Sequence, residues 1–278
     1  MEKSLVSGLL SRREFLRLTG IAGAGLAAGC AVNPVTGRSQ LMLLSEKDEI
    51  RIDKTYSPHQ FSADYGEFQD RRLQDYLERT GRTLEPRTHR PDMPYSFCCV
   101  NAPYMNAYAF PGGSIACTRG ILVELGSEAE LAGLLGHELG HVNARHTAQH
   151  MSKGMLASLA VSGLGMAVPG DGGGLGGLVS GLAGLGAGAL LAAYSRDNER
   201  EADALGMEYM VRAGYSPVGM VRLMDMLRKS SERKPGALEL MFSTHPMSEE
   251  RYRTAEEAVA IKYRDARSLP VFRERFMD

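Results

Sequence analysis

The residues of this chain whose types and spacing most directly suggest chemistry are His137-Glu138-Leu139-Gly140-His141. On a helix, side chains four apart lie one turn above each other on the same face. Both imidazoles can then reach one ion, and the intervening glutamate can hold a water beside it. This is the H-E-x-x-H arrangement of zinc hydrolases. The pattern also arises by accident, so the surrounding chain has to supply a real helix, a third ligand and an open coordination position.

A helix is legible around the motif. Ser127-Glu128-Ala129-Glu130 reads as a capping box, and Leu131, Leu134, Leu135, His137, Leu139 and His141 continue without a proline. His146 and His150 follow four apart, rotated well away from the first pair around the helix, which suits packing or solvent contact better than a second ion. The third ligand is expected downstream, where Arg196 to Asp203 opens a helix running through Leu205, Tyr209 and Met210 to Gly214. Glu199 and Asp203 share a face of it, with Glu201 on nearly the opposite side. Glu199 is the expected ligand. Asp203 can accept a hydrogen bond from a ligand histidine and fix its tautomer.

The elements that must position these groups are a helix start at Ser45 to Glu49 and a packing helix between Glu67 and Leu84. Strands follow at Tyr95 to Val100, Asn106 to Phe110 and Ser114 to Thr118, the last two joined by the turn Pro111-Gly112-Gly113. A small antiparallel sheet is expected. Ser216-Pro217 opens a helix from Val218 to Lys229, and Ser248 caps a last one reaching about Tyr263. Between the two metal-bearing helices, Met155 to Ala193 carries a single charge, Asp171, and its halves flank Pro169 to Gly174. This glycine-rich insert at about 155–193 suggests a hairpin, acting as a flap or facing a membrane.

The first residues read as an address. Arg12-Arg13 precedes Phe15-Leu16 and an uncharged run from Leu18 to Gly29, the pattern of a twin-arginine export signal over residues 1–29. The run ends Leu26-Ala27-Ala28-Gly29-Cys30, which resembles the lipobox of bacterial lipoproteins, with Cys30 lipidated as the first mature residue. The expected location is the periplasm, lipid-anchored in a membrane; by resemblance to lipoprotein sorting, Ala31 favours the outer one. Ordinary cleavage with Cys30 left as a free thiol is the alternative. Residues 30–278 then form one domain, a size that suits a globular core, as does the apolar share of 44% over the whole chain. A net charge of −1 leaves no field to gather nucleic acid, which is excluded as a partner. Cys98, Cys99 and Cys117 allow at most one bridge, Cys117 with either neighbour, and do not look like zinc ligands.

Together, the stretches Asn33 to Arg38, Asn106 to Gly113, His137 to His146, Ser195 to Asp203 and His245 to Arg251 resemble metallopeptidase family forty-eight, a gluzincin family, in its order. The similarity is greatest to its lipoprotein members, which lack both a helical repeat domain and four membrane spans. The resemblance implies a mostly helical α+β, zincin-like fold, one zinc held by His137, His141 and Glu199, and Glu138 as general base. It also makes Asn106, Ala107 and Tyr108 part of an edge strand that pairs with extended substrate. His245, in a loop before the helix capped by Ser248, either stabilises the oxyanion or occupies the open zinc position. Arg251 orients that loop or contacts substrate.

The expected function is a membrane-tethered zinc endopeptidase acting on misfolded or unassembled envelope proteins, a substrate class that comes from the resemblance alone. The alternative is a zinc-bearing assembly factor for outer-membrane proteins that seldom cleaves. Replacing Cys30 with Ser is expected to release the protein from membrane pellets; unchanged pelleting would exclude the lipid.

Overall fold

The computed structural model describes residues 30–161, 194–233, 236 and 239–277. A short hairpin of β1 (Cys30–Val32) and β2 (Ser39–Leu41) leads to helices α1 (Glu46–Ala63) and α2 (Arg71–Leu84). Strands β3 (Ser96–Val100), β4 (Ala107–Ala109) and β5 (Ser114–Thr118) follow, then α3 (Arg119–Leu122), α4 (Glu128–Asn143) and α5 (His146–Val161). The remaining helices are α6 (Arg196–Arg212), α7 (Val218–Arg233), α8 (Glu239–Thr244), α9 (Glu249–Ala260) and α10 (Arg273–Met277). The chain is thus the expected mostly helical α+β fold with small sheets. The signal read at 1–29 and most of the glycine-rich stretch, 162–193, lie outside the described residues. Met155, the first residue of that stretch, is buried within α5. Among the described residues no helix is long and apolar enough to cross a membrane.

The three-stranded sheet is mixed, a departure from a wholly antiparallel one. Its order is β3-β5-β4, with β4 antiparallel and β3 parallel to β5. β3 and β4 run in opposite directions, and the turn at Pro111 to Gly113 returns β5 between them, so β5 must parallel the earlier strand. Gly113 adopts φ +108°, open to glycine at no steric cost. β5 takes the centre, and four of its five residues are buried. Cys99 stands opposite Cys117 in the register, and both are free thiols, as is Cys98.

Helix α4 is the member on which the others pack: all 16 of its residues are buried. Ser127 caps it, accepting a bond from Glu130 N, while the Glu130 carboxylate reaches back to Gly126 N at 2.8 Å, one residue before the partner a capping box would use. Glu128 in the first turn takes hydrogen bonds from the Tyr76 and Tyr215 hydroxyls, each 2.7 Å, and an ion pair from Arg275. These bonds tie α2, the turn after α6 and α10 to its head. Along its length α4 meets α6 backbone to backbone. A Cβ on Gly140 would stand 2.9 Å from both Cα and O of Ala202, and one on Gly206 would stand 2.8 Å from the amide of His137.

The far end of α4 departs from the expected uninterrupted helix. It stops at Asn143, whose side chain bonds Leu139 O, Arg90 N and the Tyr95 hydroxyl. Arg145 then adopts φ +60°, a left-handed conformation that is uncommon for a residue with a side chain. Its guanidinium is held by Glu49 at 3.0 Å and Leu44 O at 2.8 Å, and fully buried Glu49 also pairs with Arg90 at 2.7 Å. α5 therefore starts in a new direction, and His146, expected to point away, faces the motif.

Gly140→Ala forces α4 and α6 apart where the neighbouring atoms are backbone. It is expected to cost about 1–3 kcal/mol in urea unfolding. An unchanged midpoint would show that the contact has slack.

Candidate metal centre

α4 presents His137 and His141 to α6, and the glycine contacts bring Glu199, in the first turn of α6, up to both. Ser195 fixes where α6 starts through a reciprocal capping box with Asn198. His137 Nε2 lies 3.1 Å from His141 Nε2 and 3.6 Å from Glu199 Oε2, and His141 Nε2 lies 3.4 Å from Glu199 Oε1. His245, just after α8, completes the group: its Nδ1 is 3.2 Å from Glu199 Oε1 and 3.3 Å from His137 Nε2. One donor atom from each of these four buried residues lies within 4.8 Å of every other.

Protonation suits metal binding. Burial drives His141 well below the ordinary imidazole pKa, leaving it the neutral form a ligand must be. Burial opposes the charge of Glu199, but His245 and hydrogen bonds from His141 and His245 hold its carboxyl far below the ordinary range. For His245 burial also disfavours the charge, and Glu138 with Glu199 outweighs it, raising the pKa. Two imidazoles and a carboxylate, with a third imidazole beside them, are a donor set that fits zinc. Glu138 is fully buried, neither of its oxygens has a hydrogen-bond partner, and burial pushes its carboxyl pKa up. A carboxyl so placed can take up and release a proton within the centre.

Arg251 holds the acidic side together. Its guanidinium spans Asp203 with two bonds of 2.7 Å, meets Glu199 Oε2 at 2.6 Å and donates to Pro246 O at 3.0 Å. Asp203 Oδ1 is 2.9 Å from Nδ1 of His137, the far side of the ring from the cluster. Burial works against the Asp203 charge, but Arg251 and His137 keep its pKa low. Of the edge-strand residues, Tyr108 commits its hydroxyl to Asp64, and Asn106 exchanges bonds with Thr118.

Three neighbours of the centre escape a reading by helical phase. His146 Nδ1 lies 2.9 Å from His141 Nδ1, Glu201 Oε2 lies 3.1 Å from His146 Nε2, and Tyr194 stacks on the His141 ring at 3.9 Å between centroids. Only the spacing of His146 after the motif could have flagged it; the reversal at Arg145 carries no glycine signal.

This constellation coincides with the match to a family model, that of peptidase family M48, over residues 71–259. The chain belongs to that family. It is 30% identical over 264 residues to the beta-barrel assembly-enhancing protease of Yersinia pestis, covering 89% of this chain and 51% of the relative. The beta-barrel assembly-enhancing protease of Escherichia coli K12 is 28% identical over 265 residues, with 90% of this chain and 51% of the relative covered. Metalloprotease LoiP of the same strain is 31% identical over 159 residues, 57% of this chain and 60% of its own length. The chain spans about half the length of the assembly-enhancing relatives. Cys98, Cys99 and Cys117 lie outside the donor cluster.

Arg251→Leu would leave Glu199 and Asp203 buried without their cation. In metal-free protein it is expected to cost about 3–5 kcal/mol of unfolding free energy. A loss below about 1 kcal/mol would show that the carboxylates are neutralised otherwise.

Proposed function

We propose that this protein is a zinc endopeptidase of the bacterial envelope, tethered through a lipid on Cys30 at the periplasmic face of the outer membrane after twin-arginine export, and that it cleaves misfolded or unassembled envelope proteins. The observation that carries the reading is the convergence of His137, His141 and Glu199 beside a buried Glu138 whose carboxylate oxygens have no hydrogen-bond partner, with His245 Nε2 3.8 Å from Oε1. A zinc ion held by those three ligands would supply Lewis acidity, lowering the pKa of water and polarising a peptide carbonyl. Glu138 takes the proton from the attacking water and hands it to the departing amine. Asp203 and Arg251 keep His137 and Glu199 in place. The envelope substrate class rests on the names of the relatives, which are beta-barrel assembly-enhancing proteases.

β4 supports recognition of extended chain. It is the outer strand of its sheet, and Asn106 O and Phe110 N both bond to β5. By alternation the main-chain groups of Ala107 and Ala109 point away from β5; both residues are buried, so a substrate strand pairs there through its backbone once the atoms covering β4 have moved aside. Asn106 and Tyr108 hold that strand rather than touch substrate.

His245 sits among the donors rather than beyond them, which favours the reading that it fills the open position at rest and must swing out for turnover. The assembly-factor reading is less favoured, because such a protein has no use for Glu138.

Glu138→Gln is expected to retain stoichiometric zinc and to lose casein cleavage by at least about a hundredfold; full cleavage with normal zinc would remove Glu138 as the base, and a chelator-insensitive wild-type activity would remove zinc. His245→Ala is expected to raise the cleavage rate. A fall in rate at normal zinc content would instead assign His245 to stabilising the oxyanion.

A further inference from the structure

The geometry points to His146 and Glu201 as a relay that fixes His141 as a metal ligand, matching from the other side what Asp203 does for His137. The inference rests on the reading of His137, His141 and Glu199 as a zinc centre. His141 turns its Nε2 toward the cluster, 3.1 Å from His137 Nε2 and 3.4 Å from Glu199 Oε1. A lone pair must be free on that atom for a metal, so the ring proton belongs on Nδ1.

Nδ1 of His141 faces Nδ1 of His146 at 2.9 Å. Two facing ring nitrogens bond only when one carries hydrogen and the other does not. With the proton on His141, Nδ1 of His146 is the acceptor, which leaves the proton of His146 on its Nε2. That atom is 3.1 Å from Glu201 Oε2, an acceptor with no competing proton when ionised. One protonation pattern therefore runs from Glu201 through His146 to His141, and it ends with the lone pair aimed at the cluster. A neutral His146 without Glu201 could hold either tautomer, and one of the two would set N–H against N–H.

The surroundings hold this arrangement still. His146 is fully buried. Tyr194 lies on the face of His141 at 3.9 Å and 23°, and its hydroxyl bonds Thr147 at 2.8 Å, so α5 fixes the ring by its edge and by its face. The relay exists because Arg145 turns the chain between α4 and α5. α6 contributes Glu199 and both outer carboxylates, with Glu201 reaching α5 and Asp203 coming within 2.9 Å of His137 on α4, on nearly opposite sides of it. His146 and Glu201 are positioning residues and touch no substrate.

Carboxylates that orient ligand histidines are worth about 10–100-fold in metal affinity. The test is zinc affinity measured by competition with a chromophoric chelator on the full protein, alongside the thermal midpoint of the metal-free form. Glu201→Gln, at a side chain 29% exposed, is expected to weaken zinc binding by about tenfold or more without shifting that midpoint. His146→Asn offers His141 an amide oxygen that needs no carboxylate behind it, so in that background Glu201→Gln is expected to have no further effect. Wild-type affinity in Glu201→Gln, or the same loss from Glu201→Gln whether or not His146 is present, would overturn the relay. If His146→Asn does not fold, the single Glu201→Gln result decides alone. A wild-type protein that takes up no zinc would instead remove the metal reading, and the relay with it.

Discussion

The contact between α4 and α6 is the constraint on which the centre depends. Helix axes separated by ordinary side chains would hold Glu199 too far from His137 and His141 to share an ion with them. Here Gly136, Gly140 and Gly206 remove the side chains, so that a methyl at any of the three would press on backbone. The small residues belong to the motif as much as its histidines do, because they set the distance between those rings and Glu199. The cost is a buried pair of carboxylates, Glu199 and Asp203, in one narrow space. Arg251 meets it by contacting both, together with the carbonyl of Pro246 in the loop that carries His245.

The residues proposed as ligands, His137, His141 and Glu199, the proposed base Glu138 and the Asp203 contact were legible in the sequence because each follows from helical periodicity within one segment. His137 and His141, or Glu199 and Asp203, need only a helix to share a face, and Ser127 and Ser195 mark where those helices start. The sheet was less legible: alternation found the strands, but the parallel pairing of β3 with β5 joins segments that local periodicity does not connect. The surroundings of His141 could not be read at all. Helical phase alone turns His146 away, and what overrides it is the left-handed Arg145, held by Glu49 and Leu44 from the other end of the chain.

Charge in this centre is arranged in two arms that share α6. On one, Asp203 meets His137 directly and is itself neutralised by Arg251. On the other, Glu201 stands at the edge of the molecule and reaches His141 through His146. The two histidines thus have the same orientation toward the cluster through unequal routes, one deep and ionic, the other reaching solvent.

Glu49 lies 96 residues before Arg145 in the chain. The reversal that directs α5 is consequently a long-range contact, closed only when the segment around Leu44 and Glu49 has docked under the end of α4. The His137 half of the centre depends on α4, α6 and α9; the His141 half also waits for the N-terminal helix. Closing a loop over that separation costs more chain entropy than any contact within α4 or α5. A chain whose segment around Glu49 has not packed therefore lacks the turn that sets His146 beside His141, and the surroundings of the cluster are complete only in the finished fold.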